Sequence, residues 1–344
     1  MASDLQQTTL CLTAKDVQRA AQLLCRGGLV AIPTETVYGL GANGLDTTAV
    51  TRIFKAKGRP QDNPLILHVA EDSWLNRYCK DIPAVAYELT KRFWPGPLTL
   101  ILPRRETVPD VVTGGLDTVG MRCPDHSVTR AILRAADIPV AAPSANTSGK
   151  PSPTTAAHVL DDMNGKIDAV VDGGPCAVGV ESTIIDLTVT PPQLLRPGGV
   201  TLEELESVLG TVAVDKAVTQ LLCGDEKPRA PGMKYRHYAP KAPVTVVRGD
   251  SARCAAYIQT HLTPDSGIIC FDEFAGLFPG HRVETLGPEG DKAEQARRLF
   301  DALRAFDETV VTQIWAQTPD TSGIGLAVTN RLNKAAGFHI IDVT

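Results

Sequence analysis

Short apolar runs alternate with amphipathic stretches and with oxygen- or glycine-rich breaks. The first clear run, residues 29–32, is stopped by Pro33 and reads as a buried strand. Ahead of it, 13–26 reads as a helix capped near Thr13 and closed by Gly27 and Gly28, with Leu23 and Leu24 toward the core. After the run, Thr34, Glu35 and Thr36 place three oxygen-bearing side chains where a strand should end. Gly39, Gly41 and Gly44 then allow a tight turn or a close approach to a ligand. Asp46 is placed to cap a helix over 47–57, with Gly58 and Pro60 as stop signals. A second apolar run, 65–69, carries a lone His68. The unit is strand, polar turn, helix, cationic loop, strand. In open α/β sheets ligands bind at the carboxyl ends of strands, where the oxygen-rich turn falls.

The alternation continues. Helices are predicted over 84–93, 126–136 and 156–163, and strands over 98–102, 119–122, 140–142, 169–172 and 184–187. Residues 193–196 read as the hairpin partner of 184–187, and 201–209 as an acidic, amphipathic closing helix. The stretch 224–240 is rich in Pro, Gly and charge and reads as a linker. Beyond it, strands over 243–248, 267–271 and 310–316 alternate with helices over 252–261, 292–306 and 324–336, which implies a small parallel sheet. The expected class is α/β. A twisted mixed-sheet domain with a ligand cleft spans 1–210, a linker or lid 211–240, and a smaller parallel-sheet, Rossmann-like domain 241–344.

Composition narrows the function classes. With 344 residues, one large and one small domain is the natural division. The formal net charge of −5 implies no whole-chain attraction to nucleic acid, so any anion site must be local. Eight cysteines contain no C-x-x-C pair, which argues against a zinc ribbon and fits reduced thiols. No secretory signal pattern and no run of about 18 apolar residues occurs, so the expected setting is the cytoplasm, away from membranes.

The candidate chemistry is cationic and hydroxylic. Lys55, Lys57 and Arg59 are spaced by two, so they cannot share a helix face. They could converge on one anion if the helix ends at Gly58, or the lysines could simply complement the helix dipole. Arg59, beyond the helix, suits bidentate phosphate contact. Arg122 stands at the carboxyl end of a strand, as a carboxylate-binding arginine would; a surface ion pair is the alternative. The segment 143–152 has almost no apolar content and reads either as a plain loop or as a cradle for phosphates, with Ser144 and Ser152 foremost. Ser182 and Arg196 bracket the predicted hairpin. In the linker, Lys234 to Tyr238 alternates cations with aromatics, more than a spacer requires, and reads as a lid with Tyr235 toward a nucleotide and His237 weaker. No nucleophilic triad and no metal-ligand spacing is present.

The words PTETVYGLG, KGRP followed by NPL, LHV, MRCP, APSAN, ESTI and LLRPG stand intact as far as Arg196. In them the chain resembles the YrdC-like family of threonylcarbamoyl-AMP synthases. The linker APGMKYRHYAP resembles that of the long, two-domain form, with its C-terminal accessory domain. The resemblance implies a YrdC-like catalytic domain that makes threonylcarbamoyl-AMP, pyrophosphate and water from L-threonine, bicarbonate and ATP. It implies L-threonine contacts at Thr36, His68, Arg122, Ala142 and Ser182. It implies ATP contacts at Arg59, Asn63, Thr118, Ser144, Ser152, Arg196 and Tyr235, with Lys55 and Lys57 drawing phosphates in. Magnesium would travel with ATP, with no metal or organic cofactor of the protein's own. The product would pass to a ligase complex that modifies the tRNA adenosine beside the anticodon. Two rivals are a non-catalytic RNA-binding module and a carbamoyltransferase of hydrogenase maturation. The acidic total argues against the first and the missing C-x-x-C modules against the second.

Overall fold

The computed structural model describes residues 8–220, 228–233 and 237–343. The expected helices form where their signals stand. Asp46 accepts from the amides of Thr48 and Ala49 to start Thr47–Lys57, and Gly58 ends it at φ 63°. Ala84–Phe93, Ala156–Met163 and Leu202–Leu209 also form, the last behind a Thr201–Glu204 capping box.

Two expectations change. The first helix does not begin after a cap at Thr13. Asp16 captures the amide and hydroxyl of Thr13 at 2.8 and 2.7 Å, so Leu10–Thr13 stays extended and the helix spans Val17–Cys25. Of Gly39, Gly41 and Gly44, only Gly44 lies in a turn. Gly39–Asn43 is a strand, antiparallel to Val30–Ile32. A Cβ at Gly41 would lie 2.8 Å from Val140 Cγ1, and one at Gly44 2.5 Å from Leu67 Cδ2, so these glycines permit close strand packing.

Among the described residues, eleven strands form one mixed sheet. Its order is Leu10–Thr13, Ala169–Asp172, Val30–Ile32, Gly39–Asn43, Val140–Ala141, Ile66–His68, Thr118–Arg122, Leu98–Pro103, Thr183–Asp186, Gln193–Arg196 and Ala213–Val214. Parallel pairing sets Ile66 opposite Gly120 and His68 opposite Arg122. Side chains alternate along a strand, so these four positions share one face. Ile101 opposes Gly120 from the next strand, and Ile184 lies opposite Arg196 in the hairpin. Leu67, Met121, Leu100 and Ile185 point to the other face, into the main core. The first face carries its own apolar cluster: Ile66, Ile101, Ile184 and Leu195, closed by Ala217, Ala230 and Met233 from the connecting segment. The described parts of that segment are thus packed on the sheet.

The second sheet is parallel throughout, in the order Arg282–Thr285, Ser266–Cys270, Gln313–Gln317, Val244–Gly249, Ile340–Val343. Its two edge strands escape the sequence pattern because their residues are mostly half-exposed. Val37 and Val180 of the first domain share a core with Tyr238, Phe300 and Val328, so the domains meet through a common apolar interface. Helix Gly325–Ala335 is buried along almost its whole length, wedged against the first domain.

Candidate active site

A cleft opens on the face of the mixed sheet that carries His68 and Arg122. It lies across that face, under the connecting segment, and not only at the carboxyl ends of strands. Thr34, His68, Arg122, Ala142 and Ser182 line it, with Lys57, Arg59, Ser144, Asn146, Ser152 and Arg196. Pro231, Gly232, His237 and Tyr238 form part of its wall from the connecting segment.

The turn after Val30–Ile32 is folded around Thr34. Its hydroxyl donates to Val37 O at 2.6 Å and accepts from the amides of Thr36 and Val37 at 3.2 Å. Thr36 itself is fully buried behind the wall, its hydroxyl 2.9 Å from that of Thr34. Glu35, from the same turn, meets Arg122 at 2.8 Å, and both are at least nine-tenths buried. Nothing in the sequence pattern singled out this ion pair. Beside it, burial and then the Arg122 charge push His68 down to about 3, so its imidazole is neutral near pH 7. Its Nδ1 has no hydrogen-bond partner among the described residues.

The hairpin supplies a second group. Ser182 Oγ lies 2.8 Å from Thr99 Oγ1 and accepts from Arg196 at 3.1 Å, while Arg196 Nε donates to Ser182 O at 3.0 Å. Next to Ser182, Glu181 accepts from Ser152 Oγ at 2.6 Å and from Arg331 Nε at 2.8 Å. Burial alone would raise the Glu181 pKa, but Arg331, Arg196 and the Ser152 hydroxyl outweigh it and hold it at about 2.

Lys57 organises the polar loop. Its ammonium, fully enclosed, donates to the carbonyls of Ser144 and Asn146, and Ser148 N–H returns to Lys57 O. Burial and then Arg59 hold its pKa well below the ordinary lysine value. Arg59 lines the cleft and donates to Pro64 O at 3.2 Å.

Several expected residues stand elsewhere. Lys55 is exposed and turns to the outer surface beside Leu29, Arg52 and Lys166. Residues two apart on a helix lie about 200° apart around its axis, so Lys55 and Lys57 do not face one ligand. Asn63 is buried beside the Arg59 loop, off the cleft wall, with Oδ1 lacking a hydrogen-bond partner among the described residues. Thr118 begins the strand that ends in Arg122, about 13 Å away at ordinary strand rise, and does not line the cleft. Tyr235, with Lys234 and Arg236, lies outside the described residues. Of that linker expectation, His237 does line the cleft, and burial, then Arg59 and Lys334, lower it to about 3.

Sequence reasoning placed Thr34, Glu35 and Asn146 in candidate polar stretches without giving them roles, and it missed Glu181, Arg331 and Lys334. For the last two a signal existed. Arg331 and Lys334 are three apart on one predicted helix among Val328, Leu332 and Ala335, and cations within an apolar pattern imply buried partners.

The Sua5/YciO/YrdC family model, described as telomere recombination, matches residues 22–198. That of the threonylcarbamoyl-AMP synthase C-terminal domain matches residues 200–337. The chain is 51% identical over 330 residues to a threonylcarbamoyl-AMP synthase of Pyrococcus abyssi, covering 95% of this chain and 96% of that one. It is 47% identical over 328 residues to that of Bacillus subtilis, covering 94% of each. Among solved structures, P. abyssi Sua5 complexed with L-threonine superposes with a TM-score of 0.89 at 47% identity, over 98% of this chain and 99% of that one.

Proposed function

The chain belongs to the Sua5/YrdC family of threonylcarbamoyl-AMP synthases, and from that membership we propose that it condenses L-threonine, bicarbonate and ATP into threonylcarbamoyl-AMP. It is an enzyme of the nucleotidyltransferase type. The observation that carries the site assignment is one cleft lined by a buried arginine and neutral histidine together with a lysine-organised hydroxyl loop and two further arginines.

Arg122 takes the threonine carboxylate, with His68, Ala142 and Ser182 around the amino acid. Thr34 belongs to the same wall, and Thr36 supports it through the shared hydroxyl contact. Arg59, Ser144, Ser152 and Arg196 receive ATP, with Lys57 fixing the loop that carries Ser144. Asn63, buried off the cleft wall with Oδ1 unpartnered among the described residues, is assigned to ATP from its place in the NPL motif. Thr118 is reached only by an ATP extended along its strand. Tyr235 is assigned to ATP from its place in the linker motif. ATP enters as its magnesium complex, the metal carried on the phosphate oxygens.

The threonine amine adds to bicarbonate, losing water, to form a carbamate. A carbamate oxygen attacks the α-phosphorus, and the bond from that phosphorus to the β-phosphate oxygen breaks to release pyrophosphate. No covalent enzyme intermediate is needed, so the protein acts by alignment and charge neutralisation. The product goes to a ligase complex acting on tRNA.

The test is pyrophosphate release from ATP by the purified protein. Release that requires both L-threonine and bicarbonate is expected. Release indifferent to threonine would overturn the substrate assignment.

A further inference from the structure

The second domain lines little of the cleft, yet its cations grip the cleft's walls from behind. Arg304 donates to Pro151 O at 2.6 Å and pairs with Asp162 at 2.9 Å. Lys334 donates to Gly232 O. Arg331 is placed deepest, with no exposed surface. Its Nε meets Glu181 Oε2 at 2.8 Å, and its NH1 donates to Pro197 O and Asn330 Oδ1 at 2.9 Å. Glu181 precedes Ser182, and Pro197 follows Arg196. One guanidinium therefore ties both arms of the hairpin that forms the cleft edge.

The consequence reaches Ser152. A serine hydroxyl has one proton and two lone pairs. An ionised carboxylate can only accept, so the 2.6 Å contact commits the Ser152 proton to Glu181 Oε1. What Ser152 then offers the cleft is lone pairs alone. Such a hydroxyl repels phosphate oxygens and accepts from a donor. On ATP the donors are the ribose hydroxyls and the adenine amine. We propose that Arg331, a residue of the second domain, is a positioning residue that works through Glu181 to present Ser152 as a hydrogen-bond acceptor for the nucleoside end of ATP. This rests on the ATP assignment made above. It gives the second domain a defined part in substrate recognition: without its arginine, Glu181 would be a buried carboxylate short of its main counter-charge, and Ser152 would lose its fixed orientation.

The experiment measures direct binding of ATP, of inorganic tripolyphosphate and of L-threonine to the full chain, by titration calorimetry, for the wild type, Arg331→Met and Arg331→Lys. Circular dichroism checks that each is folded at the assay temperature. Arg331→Met should weaken ATP by up to about ten-fold, the cost of one hydrogen bond between neutral groups, while tripolyphosphate and threonine stay within about two-fold. Arg331→Lys keeps a charge beside Glu181 and should recover most of the ATP affinity. Ser152→Ala should reproduce the Arg331→Met pattern. A purely structural arginine would weaken all three ligands together, and that result overturns the proposal, as does unchanged ATP binding in a folded variant. If Arg331→Met does not fold, the double variant Arg331→Met, Glu181→Gln, which leaves no unpaired buried charge, and Ser152→Ala are judged by the same criteria. Because binding is read directly, a wild type that binds ATP but shows no threonine-dependent pyrophosphate release would sink the functional reading and leave this inference standing or falling separately.

Discussion

Removing the Arg122 side chain should do two separable things. Arg122 and Glu35 meet at 2.8 Å with both side chains at least nine-tenths buried. At an effective dielectric of about 20, opposite unit charges at that distance attract by roughly 6 kcal/mol, most of it offset by lost hydration. Breaking such a pair from one side typically costs about 3–5 kcal/mol, because the remaining charge stays buried and unpaired. Arg122→Met should therefore lose about that much stability in urea unfolding, a large part of a usual reserve of about 5–15 kcal/mol. The double variant Arg122→Met, Glu35→Gln leaves no unpaired charge and should regain most of the loss. It should still show no threonine-dependent pyrophosphate release, since the carboxylate ligand is gone. If the double variant regains stability and activity together, Arg122 serves the fold and the carboxylate assignment is wrong. If the single variant is as stable as the wild type, the reasoning about the buried pair fails.

Further expectations concern neighbouring residues. Lys55→Ala should keep near-normal turnover in the pyrophosphate assay. Lys57→Met should lose at least ten-fold, because the carbonyls of Ser144 and Asn146 lose their donor; equal effects would refute the division between the two lysines. His68 is depressed from 6.5 to about 3, so the folded state binds fewer protons than the unfolded chain between those values. Its contribution is present above pH 6.5 and fades as the pH falls toward 3, and His68→Asn should flatten that slope in a series of urea titrations. NMR of the His68 ring should show no protonation step between pH 5 and 8. At Gly198, an added Cβ would lie 2.3 Å from both Glu181 O and Thr183 N, with no flexible side chain to yield. Gly198→Ala should lower the melting temperature and weaken ATP; a variant that melts normally would contradict this packing.

Local order was legible in the chain because it is written in short-range physics. Asp46 and Gly58 bound their helix through contacts within a few residues, and the apolar runs at 66–68 and 98–103 pair as strands wherever they are placed. The motif words likewise pointed to residues that the fold does assemble: His68, Arg122, Ser144, Ser152, Ser182 and Arg196 meet in one cleft. The strand Gly39–Asn43 was not legible, since glycine favours turns locally and only close neighbours such as Val140 and Ala142 call for its small size. Lys55 and Lys57 look alike in sequence, and helix rotation alone sends one to solvent and the other under the loop. The pairing of Glu35 with Arg122 joins residues 87 positions apart in number, and that of Glu181 with Arg331 joins residues 150 apart. Such contacts follow from sheet order and domain docking, which depend on the whole packed chain. Tertiary structure alone therefore decided which charges are buried, which hydroxyl proton is committed, and that the second domain braces the first domain's cleft.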